Sequence, residues 1–320
     1  MKTSSHLPAY LLVLVIWSTT PLAIKFSNSN LHFSTALLFR VFGAAVILYT
    51  LLRLRGLTLF SASSKRHETK LYGAACFIFF PNLFLTYWAV QYISSGLAAV
   101  IFSLAPLGVG FWSLLLLKTN VFRMSSIIAS LMAIAGLLLL FADKLSAHSP
   151  AIGAAVSYQS SNLSAALGVL AMVIATLSFG LSSVLIKRDG ANTPPLKIVT
   201  GGHVFACIVI LPFALVLDPY FAERLGSESP NQRSLTGILY LVLAGSVIAN
   251  LLYYRMLRLF SAFSLSLITL LTPMLALYLG VILDGEVISQ RMLIGSALIV
   301  AALGLYLELP SRAMKRWRAV

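Results

Sequence analysis

Long apolar blocks alternate along the chain with short polar segments. Ten such blocks stand out, at 7–26, 33–52, 71–92, 94–117, 124–142, 164–186, 198–217, 235–254, 260–283 and 292–309. Blocks of this length suit a hydrocarbon layer about 30 Å thick. Inside lipid a backbone must satisfy its own hydrogen bonds, so each block is predicted to be a helix. Arg40 and His203 are the clearest polar interruptions. The expected fold is an all-α integral membrane protein with ten transmembrane helices.

Composition agrees with this pattern. Hydrophobic residues make up 59% of the 320 positions and charged residues only 10%, and the mean hydropathy is +0.93. A soluble domain carries about 25% charged residues. The chain therefore lacks the charged skin of a soluble enzyme, the polarity of a disordered protein and the cysteine density of a disulfide scaffold. Cys76 and Cys207 each sit in an apolar run and read as packing residues with no redox role.

The net charge of +14 fits cytoplasmic loops rich in Lys and Arg, and needs no nucleic-acid partner. With the N-terminus inside, the inner segments hold Lys2, Arg53, Arg55, Lys65, Arg66, Lys70, Lys118, Arg123, Lys187, Arg188, Lys197, Arg255, Arg258, Arg312, Lys315, Arg316 and Arg318. The outer half holds only Lys25, Arg40, Lys144, Arg224, Arg233 and Arg291. This asymmetry predicts a multi-pass protein of the cell (plasma or inner) membrane with both termini cytoplasmic. The first block has no convincing cleavage site after it and reads as a mature helix.

The chain also repeats itself. QYISSGLAAVIFSLAP at 91–106 faces RLFSAFSLSLITLLTP at 258–273. Ser94 and Ser261, Pro106 and Pro273, and Tyr87 and Tyr254 each stand 167 residues apart. AIK at 23–25 faces LIK at 185–187, and AIAGLLLL at 133–140 resembles VAALGLYL at 300–307. The expected organisation is a first repeat over 1–142, a polar external linker over 143–163, a second repeat over 164–310 and a basic cytoplasmic tail over 311–320. Five helices per repeat is an odd number, so the halves are expected to face opposite ways. Inverted repeats are characteristic of secondary transporters, whose substrate sits near the midplane between the halves.

WSTTPLAIKFS (17–27), LLFRVFGAAVIL (37–48), the hairpins ending at Pro106 and Pro273, and LGVILDGEVISQRMLIGSALIVAALGL (279–305) with Gly285, Glu286 and Gly295 resemble the drug/metabolite transporter superfamily. The resemblance is to its EamA type with two repeats, and it covers about 7–309. Thr119 stands where Glu286 does, so the first half departs from the Gly-Glu pattern. The resemblance implies export or exchange of small metabolites, often amino acids, by alternating access. It also implies a central cavity lined by the first four helices of each half, with the fifth and tenth peripheral.

Arg40 lies about 12 Å along its helix, at 1.5 Å per residue. A cation there needs water or a partner. It reads either as an anchor for a substrate carboxylate or as a side chain snorkelling to the headgroups. Lys25, at the outer end of the first block, attracts anions or anchors the interface. His203 is a proton relay or a structural hydrogen-bond partner. Asn82, Tyr87, Trp88 and Gln91 in the third block, and Asn250, Tyr253 and Tyr254 in the eighth, offer amides, phenols and ring faces. Tyr87 with Gln91, and Asn250 with Tyr254, are spaced to share a helix face. These polar side chains line a substrate path or hold helices together. Pro106 and Pro273 are expected to kink the fourth and ninth helices.

No carboxylate has a clear midplane position, and no metal cluster, nucleophile triad or phosphate loop is present in the sequence. An enzyme is therefore not expected, and no cofactor or metal is implied. The leading expectation is a secondary exporter of small polar or amphipathic metabolites such as amino acids. An organic-phosphate or nucleotide-sugar exchanger is the alternative within transport. An intramembrane transferase and a non-transporting scaffold are alternatives of other classes. The expected partners are the lipid bilayer and a small-molecule substrate; a homodimer is compatible with the sequence.

Overall fold

In the computed structural model, residues 7–61, 64–93, 95–119, 124–146, 162–221, 230–284 and 289–317 are described. Most of the linker expected at 143–163, Ser94, and Gly285 and Glu286 lie outside them. The described residues form an all-helical bundle. The helices are α1 (Leu7–Ser27), α2 (Phe33–Leu54), α3 (Lys65–Cys76), α4 (Phe84–Ala89), α5 (Ser95–Phe102), α6 (Ala105–Leu117) and α7 (Met124–Ser146). They continue with α8 (Asn162–Asp189), α9 (Pro195–Leu217), α10 (Gln232–Tyr240), α11 (Ala249–Leu259), α12 (Ala262–Ser266), α13 (Ile268–Asp284) and α14 (Gln290–Trp317). A π-helical turn, Ile78–Leu83, joins α3 to α4, and a second, Leu241–Ile248, joins α10 to α11.

Seven helical segments are long and apolar enough to cross a membrane among the described residues, and three shorter apolar helices lie at Ile127–Leu139, Ala262–Leu275 and Leu293–Leu305. Large apolar side chains such as Leu131, Ile208 and Val216 remain exposed. α14 runs past 309 to Trp317, through most of the segment expected as a tail.

Local chemistry sets the ends of several elements. α2 stops at Arg55 because Gly56 takes φ 67°, where a side chain would be strained. The Gly56 N–H then donates to Arg53 O (3.0 Å) and the Leu57 N–H to Leu52 O (3.1 Å), closing the last turn. Pro195 opens α9, where its missing N–H costs nothing. The Asn231 side chain caps α10 by accepting from Ser234 N at 2.8 Å.

The fourth span departs from the expected kink. It is broken outright between Phe102 and Ala105, and Pro106 sits in the first turn of α6. There a proline forfeits no helical bond. Pro273 does lie inside a helix, α13. The third span is the most distorted. Phe80 is extended (φ −135°, ψ 119°), and the Phe80–Pro81 peptide is cis. Pro81 was as visible in the sequence as Pro106.

α9 packs against both α2 and α3. Gly201 of α9 faces the ring of Tyr72 on α3 so closely that a Cβ there would lie 2.2 Å from Tyr72 Cγ. The helices are tied at both ends of the bundle. At one end the Thr35 hydroxyl donates to Asp218 at 2.6 Å. At the other, Lys197 pairs with Glu68 at 2.5 Å, both side chains buried, while Ser61 donates to Glu68 through N (2.7 Å) and Oγ (3.0 Å). These are called below the Asp218 end and the Glu68 end.

Candidate functional site

Three groups of polar and aromatic side chains lie where α1, α2, the α3–α4 segment, α8, α9 and the α10–α11 segment meet. Arg40 carries the first. Its α2 position is surrounded by apolar neighbours, and the residue is only 4% exposed. Nε donates to Ser246 Oγ at 3.0 Å, and an Nη reaches Tyr87 Oη at 3.5 Å. Ser246 lies in the second π-helical turn. Its neighbour Gly245 leaves the space the guanidinium occupies, since a Cβ there would come within 3.2 Å of it. Among the described residues no carboxylate forms an ion pair with Arg40.

His203 centres the second group. It is fully buried on α9, with its ring 4.2 Å from that of Phe79 in the first π-helical turn. Nδ1 lies 2.8 Å from Val199 O, a carbonyl that can only accept, so this nitrogen carries the hydrogen. Nε2 of the neutral ring is then an acceptor. It has no hydrogen-bond partner.

The third group is aromatic. Trp17 of α1 packs on Tyr253 (5.1 Å) and Phe179 (5.9 Å), and Phe102 packs on Phe179 (5.4 Å). Tyr253 Oη shares a 2.8 Å hydrogen bond with Ser183 Oγ. Tyr254 is buried beside Tyr253; its hydroxyl lies next to Ser182 without meeting hydrogen-bond geometry with it. A small cavity of about 90 Å³ opens next to it, lined in part by Ile198, Tyr254, Lys187 and Arg258. Lys187 donates there to Leu257 O (2.9 Å) and Arg258 O (3.2 Å), and Arg258 donates to Thr193 O. Lys187 thus closes the end of α11, and Arg258 ties that end to the loop between α8 and α9.

The remaining candidates are scattered. Asn82 is buried and receives the Thr86 hydroxyl on its backbone carbonyl at 2.9 Å. Asn250 is buried at the start of α11. Trp88 is half-buried against Tyr92, 4.7 Å between rings. Gln91 lies in the turn after α4 and is exposed, apart from buried Tyr87, because the helix ends at Ala89 before the shared face is completed. Lys25 is exposed in the last turn of α1. Pro106 and Pro273 are buried.

Ser246, Ser183, Trp17, Phe79, Phe102 and Phe179 are members of these groups to which the sequence alone gives no role. A serine or a phenylalanine in an apolar run carries no signal of its own. Trp17 was within a segment already singled out for its pattern.

Compared with known proteins, the chain matches the sequence profile of the EamA-like transporter family twice, over residues 6–142 and 166–307. It is 28% identical over 228 residues to Protein PecM of Dickeya dadantii (strain 3937), covering 71% of this chain and 68% of PecM. It is 24% identical over 310 residues to Protein PagO of Salmonella typhimurium (strain LT2), covering 95% of this chain and 92% of PagO. A solved structure described as "Crystal structure of protein" superposes with a TM-score of 0.73 at 20% identity, over 98% of this chain and 99% of that one. At that identity the likeness is one of fold.

Proposed function

Since this chain belongs to the EamA-like transporter family, within the drug/metabolite transporter superfamily, we propose that it is a secondary exporter of small polar or amphipathic metabolites, amino acids above all. The observation that carries the substrate class is Arg40. A buried guanidinium held by two hydroxyls, with no carboxylate paired to it among the described residues, keeps a net charge that an anionic ligand would neutralise. Cations buried in membrane proteins mark such pathways, and the planar fork of Arg matches a carboxylate. The aromatic group around Trp17, Phe179 and Tyr253 supplies ring faces for the rest of an amphipathic molecule.

Alternating access would follow from two five-helix units, 1–142 and 164–310, joined by 143–163 and inserted in opposite directions. Several features support this reading. The family profile matches each half. The seven longer and three shorter apolar helices fall on the ten expected spans. Helix contacts pair off across the halves: α1 packs on α10 as α8 packs on α3, α6 on α8 as α13 on α1, and α7 on α14. Both third spans carry a π-helical turn. The α7–α14 pair sits apart from the main cluster, in a small core of its own, as peripheral helices would. The charge asymmetry of the loops supports a cytoplasmic position for the Glu68 end.

The test is counterflow in proteoliposomes. Vesicles holding the purified protein and a mixture of unlabelled amino acids should accumulate labelled amino acids from outside. Carboxylate-bearing compounds should compete, and the corresponding decarboxylated amines should not. Absence of counterflow with every amino acid would contradict the proposal.

A further inference from the structure

Arg40 and His203 occupy matching places in the two halves. Residues 40–48 read RVFGAAVIL and residues 203–211 read HVFACIVIL, identical at five of nine positions. The third spans correspond by the Tyr87 and Tyr254 register, which also matches Phe79 with Ser246. The structure repeats this correspondence in contacts. Arg40 lies against Ser246 in the π-helical turn of the second half, and His203 lies against Phe79 in the π-helical turn of the first.

One contact is not repeated. Arg40 reaches Tyr87 Oη within its own half at 3.5 Å. The matching contact would join His203 Nε2 to Tyr254 Oη. Those two atoms are instead the buried side-chain nitrogen and oxygen atoms that lack a hydrogen-bond partner among the described residues. Ser182 Oγ lies next to the Tyr254 hydroxyl, but it gives its own hydrogen to Ala74 O at 2.7 Å and does not meet hydrogen-bond geometry with the phenol. Buried polar atoms without partners are costly and rare in native structures. Both orphans here lie at the two positions that the first half uses for its own contact.

We propose that Tyr254 Oη donates to His203 Nε2 in the opposite-facing state, where this bond would hold the Glu68 half of the pathway together, the counterpart of the 3.5 Å Arg40–Tyr87 contact of the first half. The inference rests on the alternating-access reading. If the two halves exchange conformations during transport, each adopts the arrangement its counterpart leaves. The Arg40–Tyr87 contact then breaks as the His203–Tyr254 bond forms. The chemistry is complementary: a neutral imidazole whose Nδ1–H is committed to Val199 accepts at Nε2, and a phenol donates. The orphaned atoms of this state are the partners of the other.

Native Cys76 reports on the change. It is buried on α3, one turn from Phe79 and two residues from Ala74, whose carbonyl accepts from Ser182. The experiment measures the rate of Cys76 alkylation by N-ethylmaleimide, followed by peptide mass spectrometry, in the full-length protein in lipid nanodiscs. Y87F removes only a hydroxyl and should favour the opposite-facing state, slowing alkylation by roughly three- to tenfold, the range of one hydrogen bond. Y254F should favour the present state and speed alkylation by a similar factor. H203F keeps the ring against Phe79, removes the acceptor and should match Y254F, with no further change in the double variant. If Y87F slows alkylation while Y254F and H203F leave it unchanged, or if their effects add, the proposed bond is wrong and alternating access stands. If none of the variants changes the rate, both fail.

Discussion

Arg40 Nε donates to Ser246 Oγ at 3.0 Å, so a cation in the second span of one half is held by the π-helical turn of the other. The contact crosses the seam at which the two halves would move.

Arg40 is the position where transport should be most sensitive. Arg40→Ala should lower counterflow of carboxylate substrates roughly ten- to a hundredfold, since a hydrogen bond to a charged group contributes about 1.5–3 kcal/mol. Arg40→Lys keeps the charge and loses the fork, so it should retain part of the activity with a raised KM. Initial rates in proteoliposomes over a substrate series check both. Equal rates for wild type and Arg40→Ala would remove Arg40 from substrate recognition.

The Glu68–Lys197 pair should act on stability. Both groups are buried and paired at 2.5 Å. Removing one leaves the other charged and alone, at a cost of about 3–5 kcal/mol. Glu68→Ala and Lys197→Ala should each lower the thermal midpoint in detergent by several degrees. The double substitution Glu68→Gln with Lys197→Met should recover most of that loss, because it leaves no unpaired charge.

Two α-helical glycines should respond in opposite ways to the same change. Gly201→Ala places a methyl group against the Tyr72 ring, where a Cβ would stand 2.2 Å from Cγ. The close packing of α3 on α9 must open, at about 1–3 kcal/mol or more. Gly73→Ala meets nothing within 4 Å and should gain up to about 1 kcal/mol in helix propensity. Thermal unfolding of the two variants side by side is the measurement.

Tyr253→Phe should separate ring packing from hydrogen bonding. The ring keeps its contacts with Trp17 and Phe179, and only the 2.8 Å bond to Ser183 is lost. Ser183 keeps its bond to Phe179 O, so the cost should be about 1 kcal/mol. Tyr253→Ala, which also empties the space between α1 and α8, should cost several times more. Chemical or thermal unfolding in detergent distinguishes the two.

The helices were legible because lipid imposes a simple rule on sequence: an apolar run of sufficient length must be helical. Arg40 was legible for the same reason, a charge where that rule forbids one. Its partner Ser246 was not, since a serine is unremarkable in such a run. Glu68 and Lys197 both belong to polar segments that sequence alone reads as loop or loop edge, and their pairing across 129 residues is a matter of tertiary fold. Tyr87 and Gln91 show the limit of helical spacing: the predicted shared face fails because α4 stops at Ala89. Pro106 stands beside the break in the fourth span; whether a proline kinks a helix or starts a new one depends on the turn before it. The repeat was visible in the Tyr87 and Tyr254 register. The matching of Arg40 with His203 became meaningful only when both were found against corresponding π-helical turns.

The central claim is that one duplicated unit is inserted twice, in opposite directions. Ser29, just after α1, and Ala191, just after α8, are equivalent positions of the two halves, and both are exposed. Single cysteines at these two sites, in a background with Cys76 and Cys207 replaced by Ala, can be labelled in intact cells with a membrane-impermeant maleimide. The account predicts that the cysteine at 29 reacts from outside while the one at 191 reacts only after the membrane is opened. Labelling of both from the same face would contradict it.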